Sequence, residues 1–325
     1  MKSQNVTAGV VSAAAATAVG LSVTALPEYY GAVATKMLIF IGLAMAWNIV
    51  GGIGGQLSLG HSVFIGLGAL LPAAMFLKLS VPLWIGVLCA AALSSLIGAV
   101  ISWITFRFRL GHLYFALVTL AIGELGRIIV IGTDFLGGAS GLLVQFQAWT
   151  VDGIRVSVAT QNLIFALGFA AVAVLTTYAI LQSKLGYQLR ALKGNEDAAQ
   201  AIGINLLRSK TIAMVISAVL SSIGGSALAH YAGFVDPEVV ASPILIISII
   251  LFTVVGGIGT LWGPVVGVAL LFPFGEILRG SLANSLPGLH LVVFGATLVA
   301  VIRLMPNGIF GWVVRRFRSA SPLRA

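Results

Sequence analysis

The sequence predicts an all-α polytopic membrane protein of about ten transmembrane helices, with both termini on the cytoplasmic side. Three observations predict it. Hydrophobic residues make up 59% of the 325 and charged residues only 8%, where a soluble chain carries about 25% charged. The apolar residues fall in continuous runs near the roughly 20 residues that cross a bilayer core. The basic residues divide unevenly between alternating loops, as orientation in a bilayer requires.

The runs, in order, are 9–26, 32–50, 61–79, 82–105, 110–132, 160–182, 209–232, 240–256, 261–280 and 289–310. They are continuous and do not alternate apolar with polar, which argues against a β-barrel. With the N-terminus inside, Lys2, Arg107, Arg109, Lys184, Arg190, Lys193, Arg208, Lys210, Arg315, Arg316, Arg318 and Arg324 fall on the cytoplasmic side. Those are 12, against 3 outside (Lys78, Arg155 and Arg279), while Lys36, Arg127 and Arg303 lie within spans. An odd number of spans breaks this asymmetry. The first run has one basic residue, Lys2, and only a weak cleavage-like segment near Ala25. It reads as a retained helix rather than a signal peptide.

Composition excludes other classes. Disorder needs few apolar residues. Cys89 is the only cysteine, so there is no disulfide scaffold. The net charge of +9 sits in short loops between spans, which sets orientation and does not point to nucleic acid. None of the six lysines follows a glycine, so a GxxxxGK[ST] phosphate loop is absent and any ATP is handled by another subunit. Residues 1–325 form a single transmembrane domain whose longest polar stretches are 133–159, outside, and 183–209, inside.

The inner stretch holds a short helix. Asn195 reads as its N-cap after Gly194. Glu196 and Asp197 occupy the first turn, where the helix dipole favours anions. Ala198, Ala199 and Ala201 follow, and Gly203 stops it. It either tidies a long connection or docks in a groove of a cytoplasmic partner.

Two glycine clusters mark candidate breaks. Gly51, Gly52, Gly54, Gly55 and Gly60 crowd the start of the third span, and Gly256, Gly257, Gly259 and Gly263 the start of the ninth. Irregular backbone at membrane depth is tolerated inside protein or beside a water-filled path. On one reading these breaks line a path, with Gln56, Ser58 and His61 presenting polar groups to it. On the other they are tight helix packing. Glu124 is read as the one acidic residue well inside a span. Arg127, three residues on, shares its face. The pair is a gate, a solute contact or a structural ion pair near the outer rim. Asp236 and Glu238 flank Pro237 in an outer turn. Lys36 and Arg303 read as snorkelling span-end residues. His112, His230 and His290 read as interfacial, without metal-ligand spacing. Gly138-Ala139-Ser140-Gly141 fits the GxSG of rhomboid-type proteases, but Ser140 falls in a polar loop with no base in view.

The run Asp197-Ala198-Ala199-x-x-x-Gly203 resembles the EAA loop of ABC-importer permeases, with aspartate in place of the usual glutamate. Residues 51–71, GGIGGQLSLGHSVFIGLGALL, resemble the glycine-rich segment of LivM-type branched-chain amino acid permeases. So do LYFALVTLAIGELGR (113–127), GGASGL (137–142), LRALKGNEDAAQAIGIN (189–205), HYAGFVDPE (230–238) and VVGGIGTLWGPVVGVAL (254–270). The likeness runs in order over about residues 30–310, and permeases for urea and similar solutes share much of it. By analogy with vitamin B12-type permeases it implies an inverted repeat of spans 2–5 and 7–10.

The resemblance implies a permease subunit of an ATP-driven importer for leucine, isoleucine and valine in a bacterial inner membrane, without its own ATPase site. It implies a homologous second permease, two cytoplasmic ATPase subunits that bind ATP and Mg, and an extracytoplasmic solute-binding protein. Asn195, Glu196, Asp197, Ala198, Ala199 and Gly203 are then the ATPase-coupling residues. Gly54, Gly55, Gln56, Ser58, His61, Glu124, Gly256, Gly257 and Gly259 are the candidate translocation path. Alternatives are an ABC permease for urea or another small polar solute, and an ion-coupled secondary transporter.

Overall fold

The computed structural model describes residues 28–108, 111–144, 149–151, 154–282, 289–305 and 308–312. The apolar run 9–26 lies outside the described residues, so the tenth span and the sidedness of the termini stay expectations.

The other nine runs each carry a helix. In chain order these are α1 (Glu28–Asn48), α2 (His61–Leu79), α3 (Leu83–Arg107), α4 (His112–Ile131) and α5 (Val158–Gln182). After a polar connection come α8 (Leu206–Ala232), α10 (Pro243–Gly257), α11 (Gly263–Leu282) and α12 (Leu289–Leu304). Eight helices among the described residues are long and apolar enough to cross a membrane, counting α1 together with the turn that follows it and α10 together with residues 237–242. At 16 residues α12 is shorter. The connection folds into α6 (Lys184–Gly194) and α7 (Glu196–Ala201), and the outer turn holds the short α9 (Pro237–Val240). The sequence reading placed one helix in 183–209. There are two, because Leu185, Leu189 and Leu192 share one face of α6 and pack it against the bundle.

α1 and α8 sit at the centre. α8 packs on α1, α2, α3 and α5, and α1 also meets α5, α10 and α11. In lipid no hydrophobic force drives helices together, so close contact needs small residues. α8 supplies Ser217, Ala218, Ser221, Ser222, Gly224 and Gly225, all buried. The outer helices turn large apolar side chains outward, such as Trp84, Leu88, Leu96 and Trp103 on α3. That is the pattern of a bundle solvated by lipid chains.

The two ends differ. At one end, β1 (Leu142–Leu143) pairs antiparallel with β4 (Phe234–Val235), which seats the 134–144 loop on the 233–240 turn. β2 (Trp149–Val151) and β3 (Ile154–Val156) form a hairpin nearby in sequence. At the other end lie the C-termini of α1, α3, α5 and α10, the starts of α2, α4, α8 and α11, and all of α6 and α7.

Two glycine breaks joined at one end of the bundle

α1 does not end in a simple cap. Past Asn48 it widens into one π-helical turn, Ile49–Ile53, closed by Gly54 N–H donating to Ile49 O at 3.0 Å. Such turns occur mostly as single insertions in α-helices and favour functional sites. Residues 54–60 are then irregular before α2 starts. Several of their backbone groups find partners inside the protein. Gln56 N–H donates to Val50 O at 3.0 Å. Trp47 Nε1 donates to Ser58 O at 2.8 Å, and Leu59 N–H donates to Thr119 Oγ1 of α4 at 3.1 Å.

The second break, between α10 and α11, docks on the first. Asn48 Oδ1 accepts from Gly259 N–H at 2.8 Å, and Asn48 Nδ2 donates to Thr260 O at 2.9 Å. One amide therefore satisfies a donor and an acceptor of the irregular chain. Glycine is required on both sides of this contact. Gly259 has φ +78°, and a Cβ there would stand 2.9 Å from Gly52 O; a Cβ on Gly52 would stand 2.6 Å from Gly259 N.

α6 and α7 rest on the same place. Lys193 Nζ donates to Gly52 O at 2.8 Å, at the C-terminal, partly negative end of the α1 turn. Partial desolvation pushes the Lys193 pKa below the ordinary lysine value. Asn195 caps α7 as the spacing predicts, its Oδ1 accepting from Ala198 N–H at 2.9 Å. Glu196 Oε1 accepts from Gln56 Nε2 at 3.3 Å and pairs with Lys210 Nζ at 2.5 Å. Lys210 also lies 4.9 Å from the Phe106 ring centroid. Asp197, Ala198 and Ala201 face outward, while Ala199 is buried. Gly203, at φ +88°, follows α7. A cavity of about 390 Å³ opens beside it, lined by Phe106, Arg107, Gln200 and residues 203–207.

His61 is fixed nearby. Its Nε2 lies 2.7 Å from Ser217 Oγ and its Nδ1 2.8 Å from Ser58 Oγ. Ser217 donates its one proton to Ala46 O at 2.6 Å, so it must accept from His61 Nε2–H. His61 Nδ1 then accepts from Ser58. The chain of bonds joins α1, α2 and α8 through a neutral imidazole.

The predicted residues thus divide. Gly54, Gly55, Gln56, Ser58, His61, Gly256, Gly257 and Gly259 gather at this end with Asn195 and Glu196. All but Gly55 and Gly259 among the break residues have defined buried positions, and Gly259 abuts Gly52. Glu124 lies roughly 18 Å along α4 from its start, toward the other end. There Arg127 Nε donates to Glu124 Oε2 at 3.0 Å and the guanidinium reaches Glu238 at 4.0 Å. Asp236 caps α9, accepting from Glu238 N–H at 2.8 Å.

Three expectations are corrected. Glu124 is not the one acidic residue well inside a span, because Glu276 lies within α11. Lys36 does not simply snorkel: its Nζ lies 3.6 Å from Glu276 Oε1 and 5.7 Å from the Phe272 ring centroid. Arg279 adds a 3.7 Å contact to Glu276. His230 is likewise buried rather than interfacial, with Nδ1 2.5 Å from Asn162 Oδ1. Ser140 is exposed at the end of a 3-10 turn. Asn48, Lys193 and Lys210 were missed as site residues. Asn48 carried a usable signal, since an amide inside an apolar run must find partners.

The sequence matches, over residues 29–302, a family described as "Branched-chain amino acid transport system / permease component". It is similar to the high-affinity branched-chain amino acid transport system permease protein LivM of Salmonella typhimurium, at 27% identity, covering 85% of this chain and 69% of that protein. The LivM protein of Escherichia coli is 26% identical over the same shares. The nucleoside ABC transporter permease protein NupC of Lactococcus lactis is 23% identical, covering 61% of this chain and 67% of that one.

Proposed function

From the premise that the chain belongs to the permease-component family of branched-chain amino acid transport systems, we propose that it is half of the translocation path of an ATP-driven importer for leucine, isoleucine and valine. The membership makes it a transport subunit of the ABC class and a multi-pass protein of the bacterial inner membrane. The further steps are proposals. A homologous permease completes the path. Two ATPase subunits, which bind ATP and Mg, dock below on the 195–203 segment, and a soluble binding protein delivers solute from outside. Residues 183–209 then form the cytoplasmic coupling loop.

One observation carries the ATP-driven reading. α7 is capped, outward-facing and only six residues long, yet its Glu196 is bonded to the Gln56 side chain of the irregular segment between α1 and α2. A connection that merely joined α5 to α8 needs neither the cap nor that contact. The buried positions of Gly54, Gln56, Ser58 and His61 support a closed passage at this end. In that state the glycine breaks act as the gate, and rigid-body rocking opens them. A branched aliphatic solute wants apolar walls and few polar groups, which the composition supplies.

Cells lacking the gene, with and without its restoration, test the substrate. Uptake of labelled leucine is expected to fall by about tenfold or more and to return with the gene, if this is the main route. Labelled urea and a labelled nucleoside are expected to be unaffected. Urea or nucleoside uptake that follows the gene, with leucine unchanged, overturns the substrate and keeps the permease.

A further inference from the structure

The joint between the connecting helices and the two breaks is more specific than docking alone requires. α6 and α7 meet at an elbow, and two of its charged residues, Lys193 and Glu196, straddle the first break. Lys193 bonds Gly52 O on the α1 side of Gly54 and Gly55, and Glu196 bonds Gln56 on the other side. The aliphatic stem of Lys193 covers Gly55, where a Cβ would meet Lys193 Cγ at 2.7 Å. Its ammonium also reaches the second break: a Cβ on Gly259 would stand 3.4 Å from Lys193 Nζ. Asn48 then locks Gly259 and Thr260 to the end of α1. No movement of the elbow away from the bundle leaves the Lys193–Gly52 and Glu196–Gln56 bonds intact.

We infer that Lys193 is a positioning residue that transmits movement of the α6–α7 elbow to both glycine breaks at once, with Gln56–Glu196 as the second contact of the same joint. The inference rests on the proposed ATP-driven reading. Three features argue against a passive surface contact. A charged donor holds a backbone carbonyl at a helix C-terminus, the geometry in which such a bond is strongest. The carbonyl belongs to a π-helical turn, which has an alternative α-helical register to shift into. And the same carbonyl abuts Gly259, so the two breaks cannot move independently while Asn48 bridges them.

The test uses the whole complex in proteoliposomes, with Cys89→Ser and a reporter cysteine at Ile258→Cys in the second break. The readout is the rate at which a membrane-impermeant maleimide labels the reporter, with no nucleotide and with ATP plus vanadate. The unaltered joint is expected to change that rate by about fivefold between the two states. Lys193→Met is expected to reduce the change to less than about 1.5-fold while ATP hydrolysis stays within about twofold, and Lys193→Arg to restore it. A Lys193→Met complex that keeps the full nucleotide-dependent change overturns the inference. So does one that assembles but no longer hydrolyses ATP, which would make Lys193 part of ATPase docking. If Lys193→Met does not assemble, Gln56→Met replaces it under the same two outcomes. The labelling readout needs no transported solute. A failed substrate assignment therefore shows in leucine uptake by the unaltered complex and is separate from failure of the joint.

Discussion

Gly68→Ala is expected to lower the apparent unfolding midpoint of the solubilised protein by about 2–5 °C. α2 and α8 cross with their backbones almost touching. A Cβ on Gly68 would lie 1.8 Å from Ser222 O, and one on Gly225 would lie 2.1 Å from Ile65 O. The obstructing atoms are backbone, so no rotamer change relieves them and the two helices must separate. Separation also stretches the bond from Ser226 Oγ to Gly68 O, now 2.6 Å. Overpacking of this kind costs about 1–3 kcal/mol, or more against rigid backbone. Gly168→Ala in α5 is the control. A Cβ there meets nothing within 4 Å, so it is expected to be neutral or slightly stabilising through helix propensity. Equal behaviour of the two variants contradicts the close crossing.

The second large effect concerns α7. Ile202→Glu, combined with Ala198→Arg, is expected to weaken copurification of the ATPase subunits by about thirtyfold or more, as loss of a central apolar anchor does. Ile202 is 77% exposed at the end of α7, and Ala198 is exposed on the same short helix. Neither supports the bundle, so membrane insertion and thermal stability are expected to be unchanged. An apolar side chain this exposed, beside a cavity lined by Phe106 and residues 203–207, suits a partner groove. Leucine uptake should fall in parallel. Full uptake with both charges in place contradicts docking on this helix and favours the ion-coupled alternative.

What could be read in advance follows from range. Spans were legible because a lipid-facing helix must be apolar along its whole length; the run 61–79 coincides with His61–Leu79. The α7 cap was legible because Asn195 acts on a group three residues away. α6 was hidden because Lys184, Arg190 and Lys193 made the stretch look like loop, although its leucines repeat at helical spacing. The site's organisation was not legible, since its bonds join residues far apart in sequence. Asn48 to Gly259, Lys193 to Gly52 and His61 to Ser217 are all of this kind. Lys36 looked like a span-end residue by its place in the chain, and only packing of α1 on α11 revealed Glu276 as its partner.

We propose that ATP, and no ion gradient, drives solute through this chain. The direct measurement is accumulation of labelled leucine in proteoliposomes holding the purified complex, with the binding protein on the outward side. It is made with and without ATP and with ionophores present. Accumulation that requires ATP and survives the ionophores is the predicted result. Accumulation that proceeds without ATP and collapses with the ion gradient would contradict the account and make the chain a secondary transporter.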